Sequence, residues 1–320
     1  MSLSFILYRE EIEGEIDKVR RALSQNEVSK EYRGYAWSHV PVPPHLRLGV
    51  AFSDVAYTYC PTMRYLFLKR QHVPRRETRE AVRGRIVHDC ILGLLKEAID
   101  MSSTSKPKDL DIFNSLGVSR EHIRKKAVTD INGAIQEAIL SEDDAEQFIE
   151  LADKILNYEY AMLVARVGYK ISHTPRTTRE GLMDEALPIV IEPSINAQSM
   201  GFSDQLTPDF IYTKTRAIGE LKTGTQVPAN RVAIAGYALA CEYTQKIPID
   251  VGFVLYVPDQ QRHKVPIYEI DVFPVSNEYR EAFIQKRNQS LNLIASGVEP
   301  PVCNECHPGD CRIYGRVDGG

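Results

Sequence analysis

The acids and the lysine best suited to chemistry lie in two short phrases, Pro208-Asp209 and Glu220-Leu221-Lys222. Strand side chains alternate between faces, so Glu220 and Lys222 would share one face while Leu221 points into the core. A hairpin turn between the phrases would bring Asp209 beside them. Two carboxylates can hold Mg²⁺ or Mn²⁺ and a lysine can orient water at a phosphate, which suits phosphodiester hydrolysis. The competing interpretation is a solvated strand face, where Glu-x-Lys is common.

His88 is a further candidate ligand. It follows Gly84 by one turn of an amphipathic helical pattern, so both residues lie on one face, and the glycine leaves room for close approach of a neighbouring element. A neutral imidazole there could complete a metal shell. The alternative is a packed or solvated helical histidine. Asp89 faces elsewhere and is expected to be a surface charge.

Four cysteines have the spacing of metal ligands, one near the start of the chain and three near its end: Cys60, Cys303, Cys306 and Cys311. Tetrahedral zinc and an iron–sulfur cluster both suit four thiolates, and unconnected cysteines are the remaining interpretation. A shared centre would tie the two ends of the chain together, which is an architectural role. Cys90 and Cys241 lie in apolar helical patterns and are expected to be buried core thiols. His307 could replace one thiolate, but because it is adjacent to Cys306 it is expected to be a solvated turn residue.

A basic stretch between Cys60 and the His88 segment carries these residues: Arg64, Lys69, Arg70, Arg75, Arg76, Arg79, Arg83 and Arg85. Such a stretch is often only a solvated face. Its position between a candidate metal ligand and a candidate catalytic helix favours a track for a phosphate backbone. DNA contacts are therefore expected at Arg75, Arg76, Arg79 and Arg83.

The composition is that of an ordinary globular protein. Its 320 residues are 43% hydrophobic and 26% charged, with a formal net charge of -4. These values exclude a disordered or fibrous chain and allow one large core with a smaller one beside it. No apolar run has membrane-spanning length, and residues 1–8 lead directly into charged residues rather than forming a secretion signal. We expect a cytoplasmic protein with no membrane partner.

The hydrophobic periodicity indicates a mixed α/β fold. Helices are predicted at 10–23, 53–70, 77–99, 120–140, 143–167, 229–243 and 278–295. Strands are predicted at 187–191, 209–213, 217–222, 251–257 and 265–270. Four segments are expected: an N-terminal helical segment with the first cysteine, a helical region with His88, a sheet core, and a cysteine tail, covering 1–75, 76–185, 186–297 and 298–320.

The motifs together resemble a known family. In chain order they are Gly84-x3-His88, Pro208-Asp209, Glu220-Leu221-Lys222-Thr223-Gly224 and a helical Tyr237, flanked by one cysteine before and three after. This set is similar to the RecB-type PD-(D/E)XK nucleases with an iron–sulfur clamp, and above all to the CRISPR-associated RecB-like nucleases of archaeal adaptation modules. The residues around Cys60 resemble the first-cysteine motif of that family. The stretch 33–37 resembles its longer type I-A variant.

The resemblance implies a fold and a site. The fold is a PD-(D/E)XK mixed sheet flanked by helices, with a helical insert and an iron–sulfur clamp that joins the N- and C-terminal segments. Mg²⁺ or Mn²⁺ would be held by His88, Asp209, Glu220 and the carbonyl of Leu221. The catalytic group would be completed by Lys222. An iron–sulfur cluster, with the 4Fe–4S type favoured over the 2Fe–2S type, would be held by Cys60, Cys303, Cys306 and Cys311.

The implied activity is metal-dependent DNA hydrolysis. The enzyme would act on single strands or frayed ends, as an exonuclease that trims fragments for CRISPR spacer acquisition. CRISPR integrase proteins would be its partners, and the sequence leaves open whether it forms a homo-oligomer. Tyr237 would help to position the DNA.

One departure from the family keeps other hypotheses open. Many relatives have Gln four residues before the helical Tyr237, where this chain has Ala233. The second hypothesis is therefore a catalytically weak DNA-binding or scaffolding subunit of the integrase complex, and the third is a redox or iron–sulfur sensor. Asp204 is an alternative to Asp209, which is preferred because a strand-like stretch follows it directly.

Overall fold

The structure is a computed structural model that describes residues 9–23, 28–36, 42–48, 50–56, 60–71, 73, 77–103, 109–173, 187–259, 265–302, 310–311 and 315–316. Within these ranges a five-stranded mixed sheet is flanked by helices. This confirms the mixed α/β class expected from the sequence.

The α-helices of the described ranges, α1 to α9, are Arg9–Leu23, Phe52–Ala56, Arg64–Arg70, Arg79–His88, Leu94–Ser103, Asp109–Gln136, Glu142–His173, Pro228–Gln245 and Asn277–Ser296. Among them, none combines the length and the apolarity that crossing a membrane requires. The strands β1 to β5 are Ile189–Ile191, Phe210–Tyr212, Ala217–Thr223, Val251–Val257 and Glu269–Pro274.

The sheet has the order β1-β2-β3-β4-β5. Its neighbours are antiparallel except β3 and β4, which are parallel and are connected through α8. Parallel neighbours need such a crossover, whereas the antiparallel pair β2 and β3 is joined by a short turn. The two strands that carry the candidate acids are therefore adjacent in both sequence and space.

Two hydrophobic clusters cover the two faces of the sheet. Helices α1 and α4 to α7 pack on one face, where Leu221 is buried. Helices α2, α3, α8 and α9 pack on the other, where Ile218 is buried. Residues along β3 alternate between these layers, as the period of a strand requires. Glu220 and Lys222 consequently share one face, as the sequence predicted, and the structure shows that α8 packs on it.

The prediction of one helix at 53–70 is wrong, because the structure has two short helices there, α2 and α3, with a break between them. Cys60 lies in a turn, and its carbonyl oxygen accepts a hydrogen bond from the Met63 amide at 3.0 Å. Pro61 lacks an amide hydrogen, and Met63 adopts a left-handed φ of 58° immediately before α3. The cysteine is thus placed on a turn between two short helices instead of on a helical face.

The helix predicted at 77–99 is one continuous rod, but it contains a π-helical turn at Asp89–Gly93 between α4 and α5. A π turn holds one extra residue and commonly occurs at functional sites. It begins directly after His88. Side chains before and after the turn therefore lie on different faces from those of an uninterrupted α-helix.

The helical insert is longer than the sequence suggested, since α6 and α7 extend beyond 120–140 and 143–167 at several ends. The last strand is also displaced, from the predicted 265–270 to Glu269–Pro274. Pro266 has no amide hydrogen to contribute to a ladder, so pairing with β4 begins beyond it. The remaining helices and strands lie within a few residues of their predicted spans.

A buried ionic network joins the N-terminal segment to α8 and α9. Arg280 and Glu242 are completely buried, and Arg280 donates through Nη1 and Nη2 to the two Glu242 oxygens at 2.9 and 3.0 Å. Glu242 also accepts from the Arg33 side chain and the Gly34 amide, each at 2.8 Å. Removing one member of such a network leaves an uncompensated buried charge, which is strongly destabilising.

We expect Glu242→Gln to lower the free energy of unfolding by about 3–5 kcal/mol, because it leaves the buried guanidinium of Arg280 without its carboxylate and removes one of the two carboxylates that pair with Arg33. Urea unfolding measures the change. Glu15→Gln, which removes an exposed partner of Lys18, is the matched control and should change stability little. Equal stability of the two variants would contradict the structural role given to Glu242.

Candidate active site

The antiparallel register of β2 and β3 brings the two candidate acids together. Phe210 pairs with Gly219, which makes Asp209 and Glu220 the next cross-strand neighbours. Both residues are buried, with 8% and 5% of their surface exposed. Asp209 Oδ2 accepts the Leu221 amide hydrogen at 2.6 Å, which fixes the carboxylate at the start of β2.

Lys222 provides the positive charge beside the acids. Its ammonium lies 2.5 Å from Glu220 Oε2, and its side chain is about one quarter exposed. The other carboxylate oxygen, Glu220 Oε1, is buried and has no hydrogen-bond partner. A buried oxygen without a partner costs free energy, so this atom is an open position for a ligand.

Helix α4 carries His88 to the same place. Its Nε2 lies 2.9 Å from the carbonyl oxygen of Leu221, and its Nδ1 lies 3.7 Å from Asp209 Oδ1. One turn earlier, Gly84 faces β3, where an added Cβ would meet Thr223 Oγ1 at 3.5 Å. That distance is ordinary van der Waals contact. Gly84 therefore marks a close approach of α4 to β3 without being sterically obligatory.

Burial and neighbouring charges set the protonation of these groups. Desolvation, followed by the Lys222 charge, lowers the pKa of His88, so its imidazole is neutral at pH 7. Burial, followed by the charge of Glu220, raises the pKa of Asp209 well above its ordinary value, against the opposing effects of Lys222 and the Leu221 amide. The neighbouring acids thus repel each other and favour any added positive charge.

Tyr237 on α8 forms an inner wall of the site. It is 6% exposed, and its ring meets Phe52 edge to face with centroids 4.8 Å apart. Burial, then the charges of Glu220 and Asp209, raise the pKa of its hydroxyl. Ala233, one turn earlier, is also buried. A role of Tyr237 in DNA positioning stays a prediction.

The donor set fits a hard divalent cation in its chemistry. It comprises two carboxylates, the main-chain carbonyl of Leu221 and the neutral imidazole of His88, with one carboxylate oxygen unpartnered. As the side chains stand, the described residues contain no group of three or more His, Cys, Asp and Glu placed to hold a metal ion. Glu220 is turned to Lys222 and Asp209 to the Leu221 amide instead.

Two of the predicted DNA contacts take part in the fold. Arg83 is 5% exposed, donates to the carbonyl of Pro258 at 2.7 Å and pairs with Asp259 at 2.8 Å. Arg79 pairs with Asp144 at 2.6 Å and lies over the ring of Phe148. Both therefore hold α4 in place. Contacts with DNA at these positions stay predictions, and Arg75 and Arg76 lie outside the described residues.

Two of the cysteines are buried core thiols, as their sequence context suggested, and the ligand set stays a prediction. Cys90 and Cys241 are fully buried, and burial raises the pKa of the Cys241 thiol to about 12. Cys60 is a free buried thiol whose Sγ lies 3.6 Å from Thr62 Oγ1. Cys311 ends β6, Asp310–Cys311, which pairs with β7, Gly315–Arg316. Cys303, Cys306 and His307 lie outside the described residues.

Sequence reasoning missed Glu192, which follows β1. Its amide donates to the carbonyl of Asp209 at 3.1 Å. The signal was an acid at the end of a short apolar strand beside Asp209's strand, but only the sheet order shows that the two strands are neighbours. The alternative aspartate, Asp204, is exposed in the loop before β2 and accepts a hydrogen bond from Ser203.

A family model described as CRISPR-associated exonuclease Csa1 matches residues 7–318. The chain belongs to the Csa1 family. It is 27% identical over 290 residues to the CRISPR-associated exonuclease Csa1 of Saccharolobus solfataricus, covering 90% of this chain and 91% of the relative. It is 26% identical over 294 residues to the protein of the same name from Thermoproteus tenax, with the same coverage. No solved structure matches this Csa1-family chain.

These relatives confirm the family that the motifs indicated, a CRISPR-associated nuclease family found in archaea. Because the match covers nearly the whole chain, both the cysteine ends and the acid pair belong to the Csa1-family unit.

The raised pKa of Asp209 predicts a pH-dependent stability. Because the folded state holds this proton more tightly than the unfolded chain, its stability is lost as pH rises above about 4 toward the folded pKa. Asn is neutral and its carbonyl can still accept the Leu221 amide. We expect Asp209→Asn to raise the free energy of unfolding of metal-free protein at pH 7, by a margin that shrinks toward pH 4.

Urea unfolding in a chelating buffer at several pH values measures this difference. Asp204→Asn, on the exposed loop, is the control for loss of an acid outside the site. A lower stability of Asp209→Asn at pH 7 would show that Lys222 and the Leu221 amide more than offset burial and repulsion.

Proposed function

We propose that this chain is a metal-dependent deoxyribonuclease with a PD-(D/E)XK site. The observation that carries the proposal is the buried cross-strand pair Asp209 and Glu220, with the Lys222 ammonium on one side and the His88 imidazole on the other. On a solvated strand face, which is the competing interpretation, the two acids would be exposed and not buried beside each other. The names of the relatives, which are exonucleases associated with CRISPR, agree with this chemistry.

Mg²⁺ or Mn²⁺ would be held by His88, Asp209, Glu220 and the carbonyl of Leu221. When bound, the cation would supply Lewis-acid activation of water and neutralise charge on the scissile phosphate.

His88 offers a lone pair because its burial keeps the imidazole neutral. Lys222 would donate hydrogen bonds to the attacking water or to a phosphate oxygen, and Glu220 holds its ammonium in position. Tyr237 and Phe52 exclude bulk water from the inner wall.

The substrate is DNA, as single strands or frayed ends, and the reaction is end trimming of fragments before CRISPR spacer acquisition. The chain would act in the cytoplasm together with CRISPR integrase proteins. The names of the relatives support the nuclease chemistry and the CRISPR context, while the strand preference comes from the family resemblance. The segment boundaries at residues 75, 185 and 297 are part of the same proposal.

The clamp is an iron–sulfur cluster, of the 4Fe–4S type, on Cys60, Cys303, Cys306 and Cys311. An ion pair supports it: Arg64, four residues after Cys60, donates through Nε and Nη2 to Glu299 Oε1 at 2.8 and 2.6 Å. Glu299 precedes Cys303 by four residues, a reach of at most about 14 Å. Glu299 at the start of the tail therefore lies beside α3, close in sequence to the buried free thiol of Cys60.

For the nuclease, we expect anaerobically purified protein to cleave labelled single-stranded DNA only when Mn²⁺ or Mg²⁺ is present. Glu220→Ala and Lys222→Ala should each lower the rate by about 100-fold or more, since each removes a charge that acts on the reacting phosphate. The matched control is Asp204→Ala, an acid on the exposed loop, which should retain the wild-type rate.

Undiminished cleavage by the Glu220 and Lys222 variants would place the activity elsewhere. Tight DNA binding by wild-type protein without cleavage in either metal would favour the scaffolding hypothesis, to which the Ala233 substitution points. Product analysis of end-labelled strands separates trimming from internal cutting.

For the cluster, we expect freshly purified protein to contain iron and to show visible charge-transfer absorption, and Cys60→Ser to lose both. Cys241→Ser replaces a buried core thiol on α8 and should keep the iron. Metal analysis of the same samples gives zinc. Zinc in place of iron would show a structural zinc site instead of a cluster. Retention of iron by Cys60→Ser would show that Cys60 is not a cluster ligand.

A further inference from the structure

The acid pair is the inner part of a longer row. Ile191 pairs with Phe210 and Phe210 with Gly219, so the next residues along the three strands are Glu192, Asp209 and Glu220. The Glu192 amide donates to the Asp209 carbonyl at 3.1 Å, which carries the pairing one residue beyond β1. The row runs from the buried Glu220 to the more exposed Glu192, whose side chain is 41% exposed.

The backbone fixes Glu192 at this outer end. Its φ is 46°, in the left-handed region that a residue with a Cβ seldom adopts, and Pro193 follows it. Its charge reaches inward, since it acts to raise the pKa of both Asp209 and His88. Glu192 therefore belongs to the electrostatic surroundings of the site, although it lies at its rim.

Lys96 covers this outer acid. It lies on α5, in the same continuous rod as His88 and eight residues beyond it, after the π turn. Its ammonium is 3.2 Å from Glu192 Oε2, and its side chain is 54% exposed. Each acid of the row thus has a basic neighbour: Lys222 for Glu220, His88 for Asp209, and Lys96 for Glu192.

A row of three acids repels an anionic strand, so the rim needs a cation that faces solvent. Lys222 is mostly buried and committed to the reacting phosphate in the proposed mechanism. Lys96 is accessible, and its exposed pair with Glu192 is weak enough to be exchanged for another anion. A backbone phosphate also carries a full negative charge and forms charge-assisted hydrogen bonds with an ammonium, so it can compete with Glu192 for Lys96.

We propose that Lys96, held at the rim by Glu192, binds the backbone phosphate of the DNA strand next to the cleaved bond. This inference rests on the proposed nuclease function for the identity of its ligand. Lys96 is a substrate-binding residue, and Glu192 is a positioning residue that releases it when DNA enters. The exposed end of the acid row is thereby the side from which the strand approaches.

The test measures binding of a labelled oligothymidine strand in a chelating buffer, where no cleavage occurs, over a range of salt concentrations. Lys96→Gln should lower the slope of log affinity against log salt by about 0.7, the contribution of one phosphate contact to single-stranded DNA. At 0.1 M salt this corresponds to about five-fold weaker binding. Lys96→Arg keeps the charge and should keep the slope.

Lys126 supplies a matched control. It is equally exposed, lies on α6 and pairs with Asp89, the residue next to His88, at 2.7 Å. Lys126→Gln removes the same charge from another side of the rod and should leave the slope unchanged. An unchanged slope in Lys96→Gln, or an equal loss in both variants, would overturn the inference.

A double-mutant cycle tests the exchange itself. Glu192→Gln removes a competitor for Lys96 and should tighten DNA binding more in the wild-type background than in Lys96→Gln. Equal effects in both backgrounds would show that Glu192 acts only by repelling DNA. In the cleavage assay Lys96→Gln should raise KM with little change in kcat. Absence of cleavage by wild-type protein would contradict the nuclease proposal alone, because the binding measurements do not depend on it.

Discussion

Two carboxylates held side by side across β2 and β3, with little solvent to screen them, form the constraint around which the site is organised. Like charges directly opposite each other in a sheet are destabilising, and burial adds to the cost. The surrounding groups offset that cost: the Leu221 amide on Asp209 and the Lys222 ammonium on Glu220. One oxygen of Glu220 remains without a partner, so the offset is incomplete in the protein alone. A site in this condition attracts positive charge.

Packing in the rest of the fold offsets the free-energy cost of burying two neighbouring acids. Hydrophobic clusters cover both faces of the sheet, and β4 is buried along its whole length. Away from the acids, the completely buried pair Arg280 and Glu242 ties the N-terminal segment to α8 and α9. This network shows the opposite electrostatic strategy, with every charge matched.

The helical layer has a second role, which is to deliver His88 and Lys96 to the edge of the sheet. Both lie on one rod that packs against α6 and α7, and the π turn between them changes the direction in which the later side chains point. The longer insert thus serves as the support of this rod. Arg79 and Arg83 hold its first turns to α7 and to the end of β4. A rigid support keeps side chains from different layers in a fixed arrangement at the candidate site.

Much of the candidate site could be predicted from sequence alone. The alternation of Glu220, Leu221 and Lys222, the nearby Asp209 and the spacing of Gly84 and His88 follow from short-range periodicities, which do not depend on the remainder of the chain. The same reasoning located most helices and strands, and placed Cys90 and Cys241 in the core. The order of motifs also indicated the family.

Only the tertiary structure decided the features that depend on neighbours distant in sequence. The π turn after His88, the break at Cys60 and the displaced β5 arise because packing, proline and ladder pairing override a regular helical or strand pattern. Glu192 escaped notice since its chemistry depends on which strand lies beside β2. Periodicity shows which side chains of one strand or helix lie on the same face. Sheet order and register show which charges on different strands meet, because strand pairing depends on contacts between residues distant in sequence.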